Sequence, residues 1–260
     1  MLLLLSPAKR LDMSEAPVLG ANDLEATTPR FAEEAQALAR TLRRKSAAEI
    51  GGLMRLSDDL ARLNRERFRA FGEQPSLPAV LAFAGDVYRG LDARSLDANG
   101  LLEAQHRLRI LSGLYGVLRP LDAIEPYRLE MGTKLRTRSA GDLYGYWGDR
   151  IGAAVEEDLR GHDERVVVNL ASGEYAKAAL PHLDARVVTP VFREVKDGQA
   201  RTLAMFAKVA RGLMARWVIE TGVGRARDLR GFDGGGYRLD ETASDDATLV
   251  FTRPQPPKKN

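Results

Sequence analysis

The chain has 260 residues, of which 44% are hydrophobic and 29% are charged, so it has a globular composition and enough length to bury a substantial core. It contains no cysteine, which excludes disulfides, thiolate metal sites and thiol redox chemistry carried by this chain. The formal net charge of +3 is small, so the distribution of charge is more informative than its sum.

The first apolar run, Leu2 to Leu5, reaches Pro7 at once and has no basic residue before it. It is too short for a signal peptide or for a membrane span, and no other stretch approaches membrane length. We therefore expect a cytoplasmic protein that does not contact a membrane. The histidines at positions 106, 162 and 182 lack metal-ligand spacing, so the sequence predicts no metal site and no cofactor.

Apolar residues at helical spacing predict helices at 31–42, 50–56, 60–71, 143–159 and 204–220. In the last of these, Phe206, Val209, Leu213 and Trp217 are predicted to form the buried face. Short apolar runs predict strands at 2–5, 107–111, 166–170, 187–195, 201–203, 237–239 and 248–252. Asp197-Gly198 predicts a hairpin turn after the long strand. We expect an α/β fold in one domain over 1–253, followed by a fraying tail at 254–260.

Three of the predicted strands end in similar polar residues. The runs are LLLL-Ser6-Pro-Ala-Lys9, RIL-Ser112-Gly and VVV-Asn169-Leu-Ala-Ser172-Gly-Glu174-Tyr175. Short continuous apolar runs are typical of strands buried on both faces, and ligands of such sheets bind beyond the carboxyl ends of the strands. If these strands are parallel neighbours, their polar ends meet in one cleft. The alternative is that the serines and the asparagine only cap the helices that follow.

The stretch LSGLYGVLRPLDAIEPYRLEMG, at 111–132, is predicted to form a wall of that cleft. It is too apolar for a surface loop, and Pro120 and Pro126 exclude a core helix. Arg128 and Glu130 could instead be a structural ion pair. The full predicted cleft set is Ser6, Lys9, Asp86, Tyr88, Ser112, Tyr115, Arg119, Tyr127, Arg128, Glu130, Asn169, Ser172, Glu174 and Tyr175.

Several motifs together resemble one family, the YaaA family of bacterial peroxide-stress proteins. They are LSPAK at 5–9, GDVYRGL at 85–91, LSGLYGVLRPLD and PYRLEMG within 111–132, YWGD at 146–149, NLAS-x-EY at 169–175 and KVARGLM at 208–214. The resemblance covers nearly the whole chain. It implies a cytosolic single-domain protein with an α/β architecture called the cantaloupe fold, a positively charged cleft, and binding to duplex and branched DNA. It also implies a role in surviving hydrogen peroxide, with links to recombination repair and to limiting free iron.

The resemblance further implies a helix-hairpin-helix element, for which the best candidate is 50–71. The corner between its two helices, Leu56-Ser57-Asp58, lacks the glycine that normally lets the hairpin approach a phosphate, and Asp58 and Asp59 would repel that phosphate. Segments 40–69 and 193–230 each carry nine basic residues against four acidic ones. The predicted DNA contacts are Arg55, Arg62, Arg65, Arg69, Lys208 and Arg211.

Two functions are therefore weighed. The first is a DNA-binding stress protein whose basic cleft holds the phosphate backbone with little regard to sequence. The second is an enzyme acting on a nucleotide or another phosphate-bearing small molecule in the same cleft, with Ser112, Glu130, Glu174 and Lys9 as catalytic candidates. A third possibility, an iron-binding protein, would need a carboxylate cluster that the sequence does not reveal.

Overall fold

The computed structural model describes residues 1–14 and 24–257, which form a mixed α/β fold with a central eight-stranded sheet and flanking helices. The expected fold class is confirmed. The strands are β1 (Leu2–Leu5), β2 (Arg10–Leu11), β3 (Leu77–Pro78), β4 (Phe83–Ala84), β5 (Leu108–Ser112), β6 (Gly116–Leu118), β7 (Ala123–Ile124), β8 (Val166–Asn169), β9 (Arg186–Lys196), β10 (Gln199–Arg201), β11 (Arg238–Leu239) and β12 (Thr248–Pro254).

The α-helices of the described residues are α1 (Ala32–Arg43), α2 (Ala47–Met54), α3 (Asp58–Arg69), α4 (Ala79–Ala82), α5 (Asp86–Leu91), α6 (Ala98–Arg107), α7 (Leu143–Trp147), α8 (Arg150–Leu159), α9 (Gly173–Ala176) and α10 (Ala204–Thr221). Short 3-10 helices lie at Ala93–Ser95, Leu180–His182, Ala226–Gly231, Gly234–Gly236 and Glu241–Ala243. In the part of the chain that the structure describes, no helix is long and apolar enough to cross a membrane.

The central sheet has the order β11-β12-β9-β8-β1-β5-β6, with β10 paired to β9. Strand β1 is parallel to β5 on one side and to β8 on the other, and β9 is parallel to both β8 and β12. All four leucines of β1 are fully buried, as expected for a strand covered on both faces. The carboxyl ends of β1, β5 and β8 therefore meet at one edge of the sheet, as the sequence predicted.

The predicted hairpin is confirmed. Strand β10 pairs antiparallel with the end of β9, and the turn residues Asp197 and Gly198 both have positive φ, of 51° and 74°. This is the backbone conformation that a two-residue hairpin loop requires, and it explains the Asp-Gly pair in the sequence.

Two predicted helices differ in detail from the observed ones. The single helix expected at 143–159 is broken into α7 and α8, because Gly148 adopts φ 54° and ψ −129°, which no helix contains. The prediction of the buried face of α10 is wrong. Phe206, Val209, Leu213 and Trp217 are only half-buried, and the buried positions are Ala207, Ala210, Gly212, Met214, Ala215, Val218 and Ile219.

Small residues dominate the buried face of α10 because α5 crosses it at very short range. Gly212 of α10 lies against the backbone of α5, and Gly90 of α5 lies against the backbone of α10. Neither position has room for a side chain. The crossing brings the amino-terminal half of α10 beside α5.

The carboxyl-terminal end of the described chain is more ordered than the sequence predicted. The expected tail at 254–260 begins too early, because Pro254 still pairs with Val195 at the end of β12. The amide of Gln255 also donates a hydrogen bond of 2.9 Å to the carbonyl of Val195. Residues 258–260 of the predicted tail lie outside the described residues.

Candidate functional site

A cavity of about 870 Å³ lies at the sheet edge where β1 and β8 end. Its walls come from the residues after β1, the start of α5, the segment at 127–130, the start of α9 and one side of α10. The basic side chains that line it are Lys9, Arg10, Arg89, Arg94, Arg128, Lys208 and Arg211, against the acidic side chains of Asp12, Asp86, Asp92, Glu130 and Glu174. The lining is therefore net positive, and it contains both cations and carboxylates.

Two of the predicted strand ends are joined directly. The backbone N–H of Ser172 donates a hydrogen bond of 2.8 Å to the hydroxyl of Ser6, and the Ser6 hydroxyl lies 3.2 Å from that of Ser172. The hydroxyl of Tyr88 donates to the carbonyl of Ser6 at 3.0 Å. These bonds tie the end of β1, the start of α9 and helix α5 into one wall of the cavity.

A second wall is held by a charged triad. The carboxylate of Glu130 lies 3.2 Å from Nζ of Lys9 and accepts hydrogen bonds of 3.0 and 3.1 Å from the guanidinium of Arg128. The Glu130 carboxylate therefore forms ion pairs with both Lys9 and Arg128. Lys9 remains largely exposed, while the side chains of Arg128 and Glu130 are mostly buried.

Glu174 also faces the cavity, and it is held at one oxygen. Its Oε1 accepts a hydrogen bond of 2.8 Å from the backbone N–H of Gly132. The hydroxyl of Tyr144 donates to the Glu174 carbonyl at 3.0 Å. Helix α9 is only four residues long, so these bonds help to set the direction of the Glu174 side chain.

Two cations of α10, Lys208 and Arg211, have no acidic partner among the described residues, a property that only Arg10 shares with them among the cations that line the cavity. Within the described residues, neither Lys208 nor Arg211 forms an ion pair, although both line the cavity. They lie three positions apart and so project from the same face of α10. Burial lowers the pKa of the Arg211 guanidinium, which still stays charged at any physiological pH. A partly buried cation without a counter-charge is the strongest anion-binding feature of the cavity.

Aromatic side chains form the floor. Tyr88, Tyr127 and Tyr175 line the cavity and are almost wholly buried, and Phe83 packs against Tyr88 at a ring distance of 5.4 Å. Burial raises the pKa of all three tyrosine hydroxyls above the ordinary value of 10.0. These hydroxyls are therefore protonated and can donate hydrogen bonds, but they are not bases at neutral pH.

Four predicted cleft residues do not line the cavity: Ser112, Tyr115, Arg119 and Asn169. Ser112 is completely buried, and its hydroxyl pairs with that of Tyr127 at 2.6 Å and accepts the N–H of Tyr115 at 2.9 Å. All its hydrogen-bonding capacity is used inside the protein, so a role for Ser112 as a nucleophile does not fit the structure.

The other three have structural partners as well. Tyr115 accepts the N–H of Glu125 at 3.2 Å, and Arg119 donates to the buried carboxylate of Asp122 at 2.8 Å. The side chain of Asn169 accepts the N–H of Ala171 at 3.1 Å and so acts in a local turn. Asn169 therefore neither lines the cavity nor caps α9, whose N-cap residue is Ser172, and it stabilises the turn that precedes this helix.

The predicted DNA contacts fall into two groups. Lys208 and Arg211 line the cavity, whereas Arg55, Arg62, Arg65 and Arg69 belong to the α2–α3 pair and do not. Arg55 ends α2 in a left-handed conformation, with φ 54°. On α3, Arg62 pairs with Asp59, and both Arg65 and Arg69 lie within 4 Å of Glu66.

Arg10, Asp12, Asp92 and Arg94 also line the cavity but were not predicted to do so. Arg10 lies in β2, which pairs with β4, and this short pairing could not be read from two-residue segments. Arg94 donates to the carbonyls of Asp12 and Leu81, so it connects chain segments. In the described part of the chain, no group of three or more His, Asp or Glu side chains is placed to hold a metal ion.

Comparison with known proteins agrees with the motifs. A family model described as "Peroxide stress protein YaaA" matches residues 1–243. A UPF0246 protein of Phenylobacterium zucineum is 50% identical over 260 residues, covering 99% of this chain and 96% of that protein. One from Maricaulis maris is 51% identical over 259 residues, covering 98% and 97%, and one from Burkholderia thailandensis is 50% identical over 261 residues, covering 97% and 98%. The chain therefore belongs to the YaaA family of peroxide stress proteins.

Proposed function

We propose that this chain acts in the peroxide stress response as a cytosolic protein that binds the phosphate backbone of duplex or branched DNA. The observation that carries the proposal is the pair of unpartnered cations on α10, Lys208 and Arg211, at the edge of a net-positive cavity. The α2–α3 pair, with the arginines named above, is a second candidate contact surface. Backbone binding needs cations and no base contacts, which fits a protein that protects DNA regardless of sequence.

The test is fluorescence anisotropy with a labelled duplex and a labelled four-way junction over a series of salt concentrations. We expect binding that weakens steeply with salt, because each neutralised phosphate releases counterions. The double variant Lys208→Gln/Arg211→Gln should bind at least tenfold more weakly at low salt. The matched control is Arg227→Gln, which removes an exposed arginine that does not line the cavity. Undetectable binding of the unaltered protein at low salt would reject the proposal.

A second function is favoured by a separate observation, the volume and composition of the cavity. Its volume of about 870 Å³ falls in the range of about 300–1,000 Å³ that is usual for small-molecule sites. Glu130 and Glu174 lie on its walls, although a groove that only tracks a polyanion has no use for carboxylates. These features support an enzyme that acts on a nucleotide or another phosphate-bearing small molecule. In it Glu130 or Glu174 would serve as the general base, and Lys9 or Arg128 would stabilise negative charge.

Peroxide survival separates the two functions. Glu130→Gln and Glu174→Gln keep the size of each side chain and remove its charge, so neither should weaken binding to DNA. If either carboxylate is catalytic, cells that carry the corresponding variant lose peroxide resistance although the protein still folds and binds the duplex. If both variants protect cells as well as the unaltered protein does, the enzymatic function is rejected.

A further inference from the structure

We propose that the cavity binds a phosphorylated sugar, free or as part of a mononucleotide, with the phosphate at Lys208 and Arg211 and the sugar hydroxyls toward Glu174 and the serine pair. This inference rests on the second function proposed above. One wall of the cavity would bind the phosphate and another wall the sugar hydroxyls.

The phosphate end is assigned by the cations of α10. Four other cations at the cavity are partly neutralised by carboxylates: Lys9 and Arg128 by Glu130, Arg89 by Asp86 at 3.1 Å, and Arg94 by Asp12 at 3.8 Å. Arg10 also lacks an ion pair among the described residues, but it is a single exposed cation on β2. Lys208 and Arg211 keep their full charge. A guanidinium offers paired N–H donors that match two oxygens of a phosphate, and a phosphomonoester carries more charge than a diester does.

The position of the sugar hydroxyls is inferred from the polar side chains at the start of α9. Glu174 uses Oε1 to accept the N–H of Gly132, and within the described residues its Oε2 has no hydrogen-bond partner. A carboxylate oxygen that faces a cavity attracts hydroxyl donors and repels phosphate. Ser6 and Ser172, which also line the cavity, offer hydroxyls that can both donate and accept.

The distribution of charge also separates such a ligand from a nucleic acid inside the cavity. A duplex that entered deeply would bring phosphates against Glu130, Glu174 and Asp86 as well as against the cations. A ligand with one phosphate and several hydroxyls satisfies both walls at once. DNA bound by the same protein is therefore expected at the rim, where Lys208 of α10 is exposed, as are Lys9 and Arg89.

The experiment is isothermal titration calorimetry on the full chain with ribose 5-phosphate, inorganic phosphate, ribose and adenosine monophosphate at equal ionic strength. We expect ribose 5-phosphate to bind at least tenfold more tightly than inorganic phosphate, and ribose alone to give no measurable binding. Adenosine monophosphate binding more tightly than ribose 5-phosphate identifies a mononucleotide site, and equal affinity identifies a sugar-phosphate site; both results agree with the proposal.

Variants test each wall. Arg211→Gln should weaken the binding of ribose 5-phosphate at least tenfold, and Arg211→Lys should restore part of that affinity. The control Arg227→Gln should not change the affinity for ribose 5-phosphate. Glu174→Gln should reduce the ratio of the affinity for ribose 5-phosphate to that for inorganic phosphate, without weakening the binding of inorganic phosphate. Urea unfolding of each variant shows whether it is folded before titration.

Three results would overturn the proposal: no binding of either phosphate ester, affinities for ribose 5-phosphate and inorganic phosphate within twofold, or an unchanged affinity in a folded Arg211→Gln protein. The results also distinguish a failure of this inference from a failure of either proposed function. Ribose 5-phosphate binding without DNA binding rejects only the DNA function, and the reverse rejects only this inference. Ribose 5-phosphate binding together with full peroxide protection by both glutamine variants rejects only the enzymatic function.

Discussion

Gly90 of α5 and Gly212 of α10 face each other where the two helices cross, and neither can be replaced by a larger residue without moving backbone. A Cβ atom at Gly90 would lie 2.1 Å from the carbonyl oxygen of Val209, and one at Gly212 would lie 1.9 Å from that of Val87. Both obstacles are backbone atoms, which cannot rotate away. Because Arg89 lies beside one glycine and Arg211 beside the other, this crossing also sets the shape of the cavity.

We expect Gly90→Ala and Gly212→Ala each to lower the free energy of unfolding by about 3 kcal/mol or more, because overpacking against backbone forces the helices apart. Urea unfolding measures this. The matched control is Gly52→Ala in the middle of α2, where a Cβ would meet nothing within 4 Å. That variant should be more stable by about 0.5–1 kcal/mol, since alanine favours the helix. Equal effects at Gly52 and Gly212 would contradict the packing explanation.

Ser112→Ala should destabilise the protein without altering its ligand binding. The substitution leaves the N–H groups of Leu114 and Tyr115 and the hydroxyl of Tyr127 without their buried partner. The expected loss is about 1–3 kcal/mol of unfolding free energy. Tyr127→Phe and the double variant complete a thermodynamic cycle, in which the double variant should cost less than the sum of the single ones. A folded Ser112→Ala protein that fails to protect cells from peroxide would restore Ser112 as a catalytic candidate.

The cations of α10 should contribute more to the salt dependence of DNA binding than the arginines of α3 do. Lys208→Gln/Arg211→Gln should reduce the slope of log affinity against log salt by about 2, because each contact to a phosphate contributes about 1. Arg62→Gln should reduce it by clearly less than 1, since Asp59 already pairs with Arg62. Anisotropy titrations of both proteins on one duplex make the comparison. A larger effect of Arg62 would identify α3 as the main contact surface.

Acid should destabilise the protein partly through His162. Burial lowers the pKa of His162 to about 4 from an ordinary value of 6.5, and the ring stacks on His106 with centroids 4.3 Å apart. Between these two pH values the unfolded chain binds a proton that the folded chain does not, so stability is intact above pH 6.5 and falls as the pH approaches 4. His162→Gln should flatten this part of the stability curve, which urea midpoints at several pH values would reveal. An identical pH dependence in the variant would contradict the assignment.

The sequence was sufficient to predict the strands and helices whose hydrophobic residues follow a clear pattern and whose ends are marked by a residue such as proline. Strand β1 was predicted with its exact bounds because four consecutive leucines ending at a proline leave little choice. The convergence of Ser6 and Ser172 also followed from the sequence, since parallel buried strands end at a common edge. Lys208 and Arg211 were predicted as DNA contacts from the family resemblance together with the local excess of positive charge, and both line the cavity in the structure.

The errors come from tertiary contacts that have no local signal. The apolar residues of α10 outline a face that is only half-buried, because the close approach of α5 favours alanine and glycine over bulkier side chains. Ser112 comes at the end of an apolar run just as Ser6 does, but it is buried and its hydroxyl forms a hydrogen bond with the hydroxyl of Tyr127. Its role is therefore structural. The break at Gly148 depends on a backbone conformation that glycine permits. A single glycine in the sequence does not reveal that this conformation is adopted.

The position of β1 between β5 and β8 has a consequence for biosynthesis. Strand β1, at 2–5, is synthesised before its neighbours at 108–112 and 166–169, so it cannot complete its pairing until the chain has been translated through residue 169. Until then four adjacent leucines lack the cover they have in the native state, and long-range pairing of this kind is slow to form. Translation that stops before residue 166 therefore leaves β1 without its β8 partner.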